Sequence, residues 1–127
     1  MTSLRKYRNK KISYNGMVFD SKKEYRRYRE LLLLQKANQI EDLDCQTKFV
    51  LIPGQRGTSE EVYKRGPKKG QPKPGNVIEK ECAYYADFTY KENGELVVED
   101  TKGVKTEAYK IKKKMMLYFY GIRIREV

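Results

Sequence analysis

Tyr84-Tyr-Ala-Asp-Phe-Thr-Tyr-Lys-Glu-Asn-Gly-Glu-Leu-Val-Val-Glu-Asp-Thr-Lys102 decides how this chain folds. Asn93-Gly94 sits between two runs rich in aromatic and β-branched residues, and Asn-Gly favours the positive φ angles of a two-residue hairpin turn. The pattern predicts a strand over residues 77–91 and a return strand over 95–102, ended by Gly103. A two-residue loop pairs Glu92 with Glu95. Carried down the ladder, the same register sets Asp87 directly opposite Asp100. Facing residues share one face of the sheet, with Cβ atoms roughly 4.5–5.5 Å apart. Lys102, two residues beyond Asp100, falls on that face too.

Outward from the hairpin, a helix is expected over 106–120. Ala108, Ile111, Met115 and Tyr118 make one face and Lys110, Lys113 and Lys114 another, before Gly121 and a final alternating strand at 122–127. Upstream, Ser21 is a good N-cap for a helix over 21–37, and Glu24 stands where a capping box needs it. Tyr25, Tyr28, Leu31 and Leu32 form its apolar stripe. Residues 43–52 read as a strand. Residues 53–76 hold all four prolines and five of the nine glycines, with Lys64, Arg65, Lys68, Lys69 and Lys73 among them. That composition reads as a basic loop inserted before the hairpin, and long loops in small domains often carry function. Residues 1–18 form a basic arm with Lys10 and Lys11, and Tyr14-Asn15-Gly16-Met17 reads as a tight turn. The length of 127 residues suits one domain, of α/β class.

Composition narrows the chemistry. There is no histidine, so triads with a histidine base and histidine metal sites are excluded. Two cysteines, Cys45 and Cys82, cannot build a four-thiolate zinc site and read as reduced strand residues. The 28 Lys and Arg against 17 Asp and Glu leave a net charge of +11, which points to a polyanionic partner. The opening Met1-Thr-Ser-Leu-Arg lacks an apolar signal core, and no stretch approaches the ~20 apolar residues of a membrane span. The expectation is a soluble, cytoplasmic protein with no membrane partner.

Any active site is therefore built from carboxylates, lysines and hydroxyls. Two facing carboxylates repel unless a cation lies between them, and a pair this close suits Mg²⁺, which keeps several waters. Such an ion polarises a phosphate and helps ionise water, and Lys102 is placed to assist. A salt-bridge cluster of Asp87, Asp100 and Lys102 on a solvated face explains the same residues. Glu24 has two readings as well, a helix cap or a third carboxylate aimed at the sheet. Gln46 reads first as a strand hydrogen-bonder, although it lies within reach of the site. Glu99 points away from Asp100 and reads as structural.

Asp87 followed by Asp100-Thr-Lys102 after a hairpin resembles the signature of the PD-(D/E)XK nuclease superfamily, and the element order resembles its restriction-endonuclease-like αβββαβ core, a central mixed sheet flanked by helices. Gly16-Met-Val-Phe-Asp-Ser-Lys-Lys-Glu-Tyr-Arg-Arg-Tyr28 resembles a phage-type subgroup whose first helix carries Phe-Asp-Ser-Lys-x-Glu. Tyr85-Ala-Asp-Phe-Thr-Tyr90 and Val98-Glu-Asp-Thr-Lys-Gly103, followed by Thr106, are similar to the same subgroup. The family's proline before the first aspartate is Ala86 here, and Asp100 takes the place of the commoner glutamate.

The resemblance implies a Mg²⁺- or Mn²⁺-dependent DNA endonuclease, similar to the phage endonuclease I group and related Holliday-junction resolvases, in a bacterial or phage-infected cell. It implies Asp87, Asp100 and Glu24 as metal ligands, Glu24 being the helix-borne acid, and Lys102 as the residue assisting the attacking water. It further implies branched DNA as substrate and a homodimer. Lys10, Lys11, Lys64, Arg65, Lys68, Lys69, Lys110, Lys113 and Lys114 are the candidate phosphate contacts. The rival readings are a non-catalytic nucleic-acid-binding protein and a phage protein that binds a host protein.

Overall fold

The computed structural model describes residues 11–127. Arg5, Lys6, Arg8 and Lys10 of the expected basic arm lie outside them. The described residues fall into two compact units, one running to Thr47 and resuming at Tyr85–Val127, the other Lys48–Tyr84.

The first unit opens on a hairpin, β1 (Ile12–Tyr14) against β2 (Met17–Phe19), turned by Asn15 and Gly16 at positive φ. The expected turn is present, with paired strands on both sides of it that the basic composition concealed. Helix α1 (Lys22–Lys36) is capped by the Ser21 side chain, which accepts from the Glu24 amide at 3.1 Å. Strand β3 (Glu41–Ile52) follows. Strand β6 (Cys82–Glu92) and strand β7 (Glu95–Asp100) form the expected hairpin, helix α2 (Glu107–Tyr120) crosses over, and β8 (Arg125–Glu126) ends the chain. The sheet order is β3-β6-β7-β8, with β6 antiparallel to β7 and β7 parallel to β8. The architecture is thus mixed α/β, a four-stranded mixed sheet with two helices.

The hairpin register is as its sequence dictates. Glu92 faces Glu95, and the ladder runs to Phe88 opposite Glu99. Asn93 and Gly94 both take positive φ, 53° and 79°, the geometry whose twist matches paired strands. The return strand stops at Asp100, two residues short of expectation. Beyond it the Thr101 amide donates at 2.8 Å to the Asp87 side chain, where an interstrand bond would otherwise lie.

Alternation along β6 and β7 sends Phe88, Tyr90 and Val97 to the core. There they join Phe19, Tyr28, Leu31 and Ile40. Each fully buried side chain of this kind contributes roughly 1.5–3 kcal/mol. The Tyr28 ring lies over Phe88, centroids 6.2 Å apart. Glu99 is wholly buried. Arg27 of α1 meets it with both prongs, Nε to Oε1 at 2.6 Å and Nη2 to Oε2 at 2.8 Å, and the Tyr90 hydroxyl donates to it as well. This fork ties α1 to the sheet.

Helix α2 departs from its expected face. Tyr109 and Met116 are buried, whereas Ile111 is 56% and Tyr118 84% exposed. The buried seam lies one residue along from the apolar stripe, because the Tyr109 hydroxyl is drawn to Glu126 of β8 at 2.8 Å. Tyr85 is exposed, since alternation along β6 buries its neighbours Tyr84 and Ala86.

The second unit is not the plain loop its prolines suggest. Strand β4 (Gln55–Arg56) pairs antiparallel with β5 (Val77–Glu79), and Val62 bridges Pro72. The ammonium groups of Lys68 and Lys73 stand 5.8 and 5.9 Å from the Tyr63 ring centroid. A Cβ on Gly75 would meet the Gly57 carbonyl oxygen at 2.2 Å, so only glycine fits there. Both cysteines are free and lie in strands.

Breaking the buried fork has a defined cost. Arg27→Met leaves the Glu99 charge buried and is expected to destabilise by about 3–5 kcal/mol. The double variant Arg27→Met/Glu99→Leu removes that charge and is expected to recover most of the loss. Urea denaturation of both measures the difference.

Candidate functional site

The end of the β6–β7 hairpin and the start of α1 meet at a cleft of about 500 Å³. Asp20, Glu24, Asp87 and Lys102 line it, with Lys23, Thr101 and the Gly103–Val104 turn. Three of the four residues singled out from sequence therefore share one cavity. The fourth, Asp100, is wholly buried, with its Oδ1 3.9 Å from the Lys102 ammonium.

Each side chain arrives there for a local reason. Glu24 sits in the first turn of α1, where the Ser21 cap fixes the helix start. Only half of a capping box forms: the Glu24 carboxylate does not return to Ser21. It takes a backbone hydrogen bond from Asp20 and the Gln46 amide at 3.3 Å instead. Asp87 is aimed by three donors. Its Oδ2 accepts from both the Thr101 amide and the Thr101 hydroxyl at 2.8 Å, and its Oδ1 from Gln46 Nε2 at 3.3 Å. Lys102 reaches Asp100 from the turn after β7 rather than by strand alternation. Its ammonium lies 5.5 Å from the centroid of the Tyr109 ring, a cation–π contact that fixes its approach.

The electrostatics follow from burial and like charge. Glu24 is pushed up to about 7, first by burial, then by the neighbouring carboxylates of Asp87 and Asp20. Cys45 is pushed up to about 11, chiefly by burial and then by Asp44, so its thiol stays protonated. Tyr109 is raised, mostly by burial and then by its bond to Glu126. Glu126 is held down at about 2 by Lys113 and the Tyr109 hydroxyl.

Asp87 and Asp100 offer hard oxygen donors, the kind Mg²⁺ and Mn²⁺ take with one or two carboxylates and several waters. Among the described residues, no three Asp, Glu, Cys or His side chains gather closely enough to make a metal-binding group. Asp87, on the cleft wall, and Asp100, buried beside Lys102, are the carboxylates that would hold such a cation.

The candidate phosphate contacts are divided between the two units. Lys11 is exposed before β1. Lys64, Arg65, Lys68 and Lys69 are exposed on the second unit. On α2, Lys110 pairs with Glu107 at 3.2 Å, Lys114 is exposed, and Lys113 is bound to Glu126 at 2.9 Å. Sequence reading missed Thr101, Tyr109 and Lys23. Thr101 lies inside the Asp-Thr-Lys motif, but its role depends on the strand ending one residue before it.

The fold and cleft define a mixed α/β protein with an acid- and lysine-lined pocket at one end of its sheet. A family model described as a protein of unknown function (DUF1064) matches residues 4–125, and the chain belongs to that family. No curated protein and no solved structure matches the chain. No helix among the described residues is long and apolar enough to cross a membrane.

The pKa of Glu24 has a signed consequence for stability. A carboxyl raised by folding contributes stability that is fully present below its unfolded value near 4.5 and is lost as pH rises through about 7. Glu24→Gln removes that loss. The variant is expected to gain on the wild type between pH 5 and pH 8, by up to roughly 2–3 kcal/mol. Thermal melts across that window read the gain.

Proposed function

We propose that this protein is a Mg²⁺- or Mn²⁺-dependent DNA endonuclease related to the PD-(D/E)XK nucleases, acting on branched or otherwise structured DNA such as a four-way junction. The observation that carries the reading is the meeting of Glu24, Asp87 and Lys102 in one cleft, with Asp100 within 3.9 Å of the Lys102 ammonium. The element order α1-β3-β6-β7-α2-β8, with a parallel last pair, supports a restriction-endonuclease-like core. The net charge of +11 supports a polyanionic substrate.

In this reading Asp87 and Asp100 hold the cation. A bound Mg²⁺ or Mn²⁺ supplies Lewis acidity toward the scissile phosphate and lowers the pKa of water. Lys102, steadied on the Tyr109 ring, offsets the negative charge that develops at phosphorus. Glu24, with its pKa near neutrality, can take up or release a proton at working pH. Thr101 keeps Asp87 aimed through two hydrogen bonds. Lys11, Lys110 and Lys114, with Lys64, Arg65, Lys68 and Lys69, contact phosphates. A homodimer would place two such sites on one junction, and the setting would be the cytoplasm of a bacterial or phage-infected cell.

The test is cleavage of a labelled four-way junction beside linear duplex and single strand. Cutting is expected with Mg²⁺ or Mn²⁺, is expected to vanish in EDTA, and should fall at least about 10²-fold in Lys102→Ala. Binding without cutting in both cations would contradict the reading and leave nucleic-acid binding as the function.

A further inference from the structure

Five non-glycine residues among those described hold a positive φ: Asn15, Asn38, Asp42, Gln46 and Asn93. Four are Asn or Asp, whose short polar side chains tolerate the left-handed region. Gln46 is the exception, at φ 52° inside β3. A glutamine there costs conformational energy that glycine or asparagine would largely avoid. A residue in this conformation within a strand interrupts the ladder and re-aims its side chain.

The side chain is aimed at the cleft. Gln46 Nε2 lies 3.3 Å from Glu24 Oε1 and 3.3 Å from Asp87 Oδ1. An amide nitrogen carries two hydrogens, one for each carboxylate. We propose that Gln46 is a positioning residue of this site, its amide holding the carboxylates of Glu24 and Asp87 at a fixed separation for a divalent cation and a phosphodiester. The inference rests on the nuclease reading and extends it to a residue outside the acidic and lysine set. Length explains the choice of residue. Asparagine suits the backbone but is one methylene shorter. Charge explains it as well. A lysine could bridge the same acids, but its ammonium would compete with the cation. A neutral amide tethers them and leaves their charge available. Met17, Tyr28, Asp44 and Cys45 border Gln46 and Glu24 in a neighbouring cavity of about 470 Å³, and the one charge among these four, Asp44, accepts from the Cys45 amide at 2.8 Å.

Two variants separate positioning from folding. Gln46→Gly suits the left-handed backbone and deletes the amide. Gln46→Asn suits it and shortens the reach. Three readouts apply to each: the melting temperature, Mn²⁺ affinity by calorimetry, and junction cleavage resolved into kcat and KM. The melting temperature is expected to stay near that of the wild type. Mn²⁺ affinity is expected to fall about 10–100-fold, the usual effect of losing a residue that orients a ligand. The kcat should fall with KM little changed. Wild-type affinity and kcat in both variants would overturn the assignment while leaving the nuclease reading intact. A large drop in melting temperature in both would overturn it too, by making the amide a support of the fold. A wild type that neither binds Mn²⁺ nor cuts DNA would overturn this inference together with the nuclease reading.

Discussion

Everything in the first unit depends on the register of the β6–β7 hairpin. A slip of one residue would turn each strand over and exchange its two faces. Phe88, Tyr90 and Val97 would leave the core, and Glu99 would lose Arg27. Asn93-Gly94 fixes that register through two residues at positive φ, and the Glu99–Arg27–Tyr90 fork reinforces it from the helix side. The two devices act differently. The turn decides which residues face each other, and the buried ion pair penalises any arrangement that strands its charge.

The same register delivers the cleft. Adjacent residues of a strand point to opposite faces, so a hairpin that buries Glu99 under α1 must send Asp100 to the other side. Asp87 and Asp100 come at the end of the ladder, where pairing gives way to the Thr101 turn. Backbone donors that no longer serve a partner strand are free there to orient a carboxylate. Helix α1 then adds Glu24, one turn before Arg27, so a single helix contributes both the structural cation and the acid of the cleft. Burying Glu24 and then setting it beside the carboxylates of Asp87 and Asp20 costs stability, and its raised pKa reflects burial first and the like charges second. Sites that bind or transform charged ligands commonly accept such a penalty.

Much of this was legible in the sequence. The hairpin register and the Ser21 cap follow from local rules that involve few residues, whereas Lys102 reaches Asp100 from the turn after β7 and not by the strand alternation its spacing suggests. What was not legible depends on tertiary context. The apolar stripe of α2 predicted its buried face one residue off, because the bond of Tyr109 to Glu126, seventeen residues away, sets the helix rotation. The stop of β7 at Asp100 depends on a side chain from the facing strand. Strand β4 within the expected loop pairs with β5, which lies inside the strand expected over 77–91, across some twenty residues of proline-rich chain, a closure that composition cannot signal. The left-handed backbone at Gln46 has no sequence cue, since glutamine is not a residue that announces it.

The central claim is that the carboxylates of Asp87 and Asp100 hold one divalent cation beside Lys102. Anomalous diffraction from a crystal grown with Mn²⁺ tests it most directly. The account predicts a Mn²⁺ peak at coordination distance from both carboxylates, with water completing the shell. A peak elsewhere in the protein, or none at saturating Mn²⁺, would contradict it, and the acids would then be a structural cluster tied together by Thr101 and Gln46.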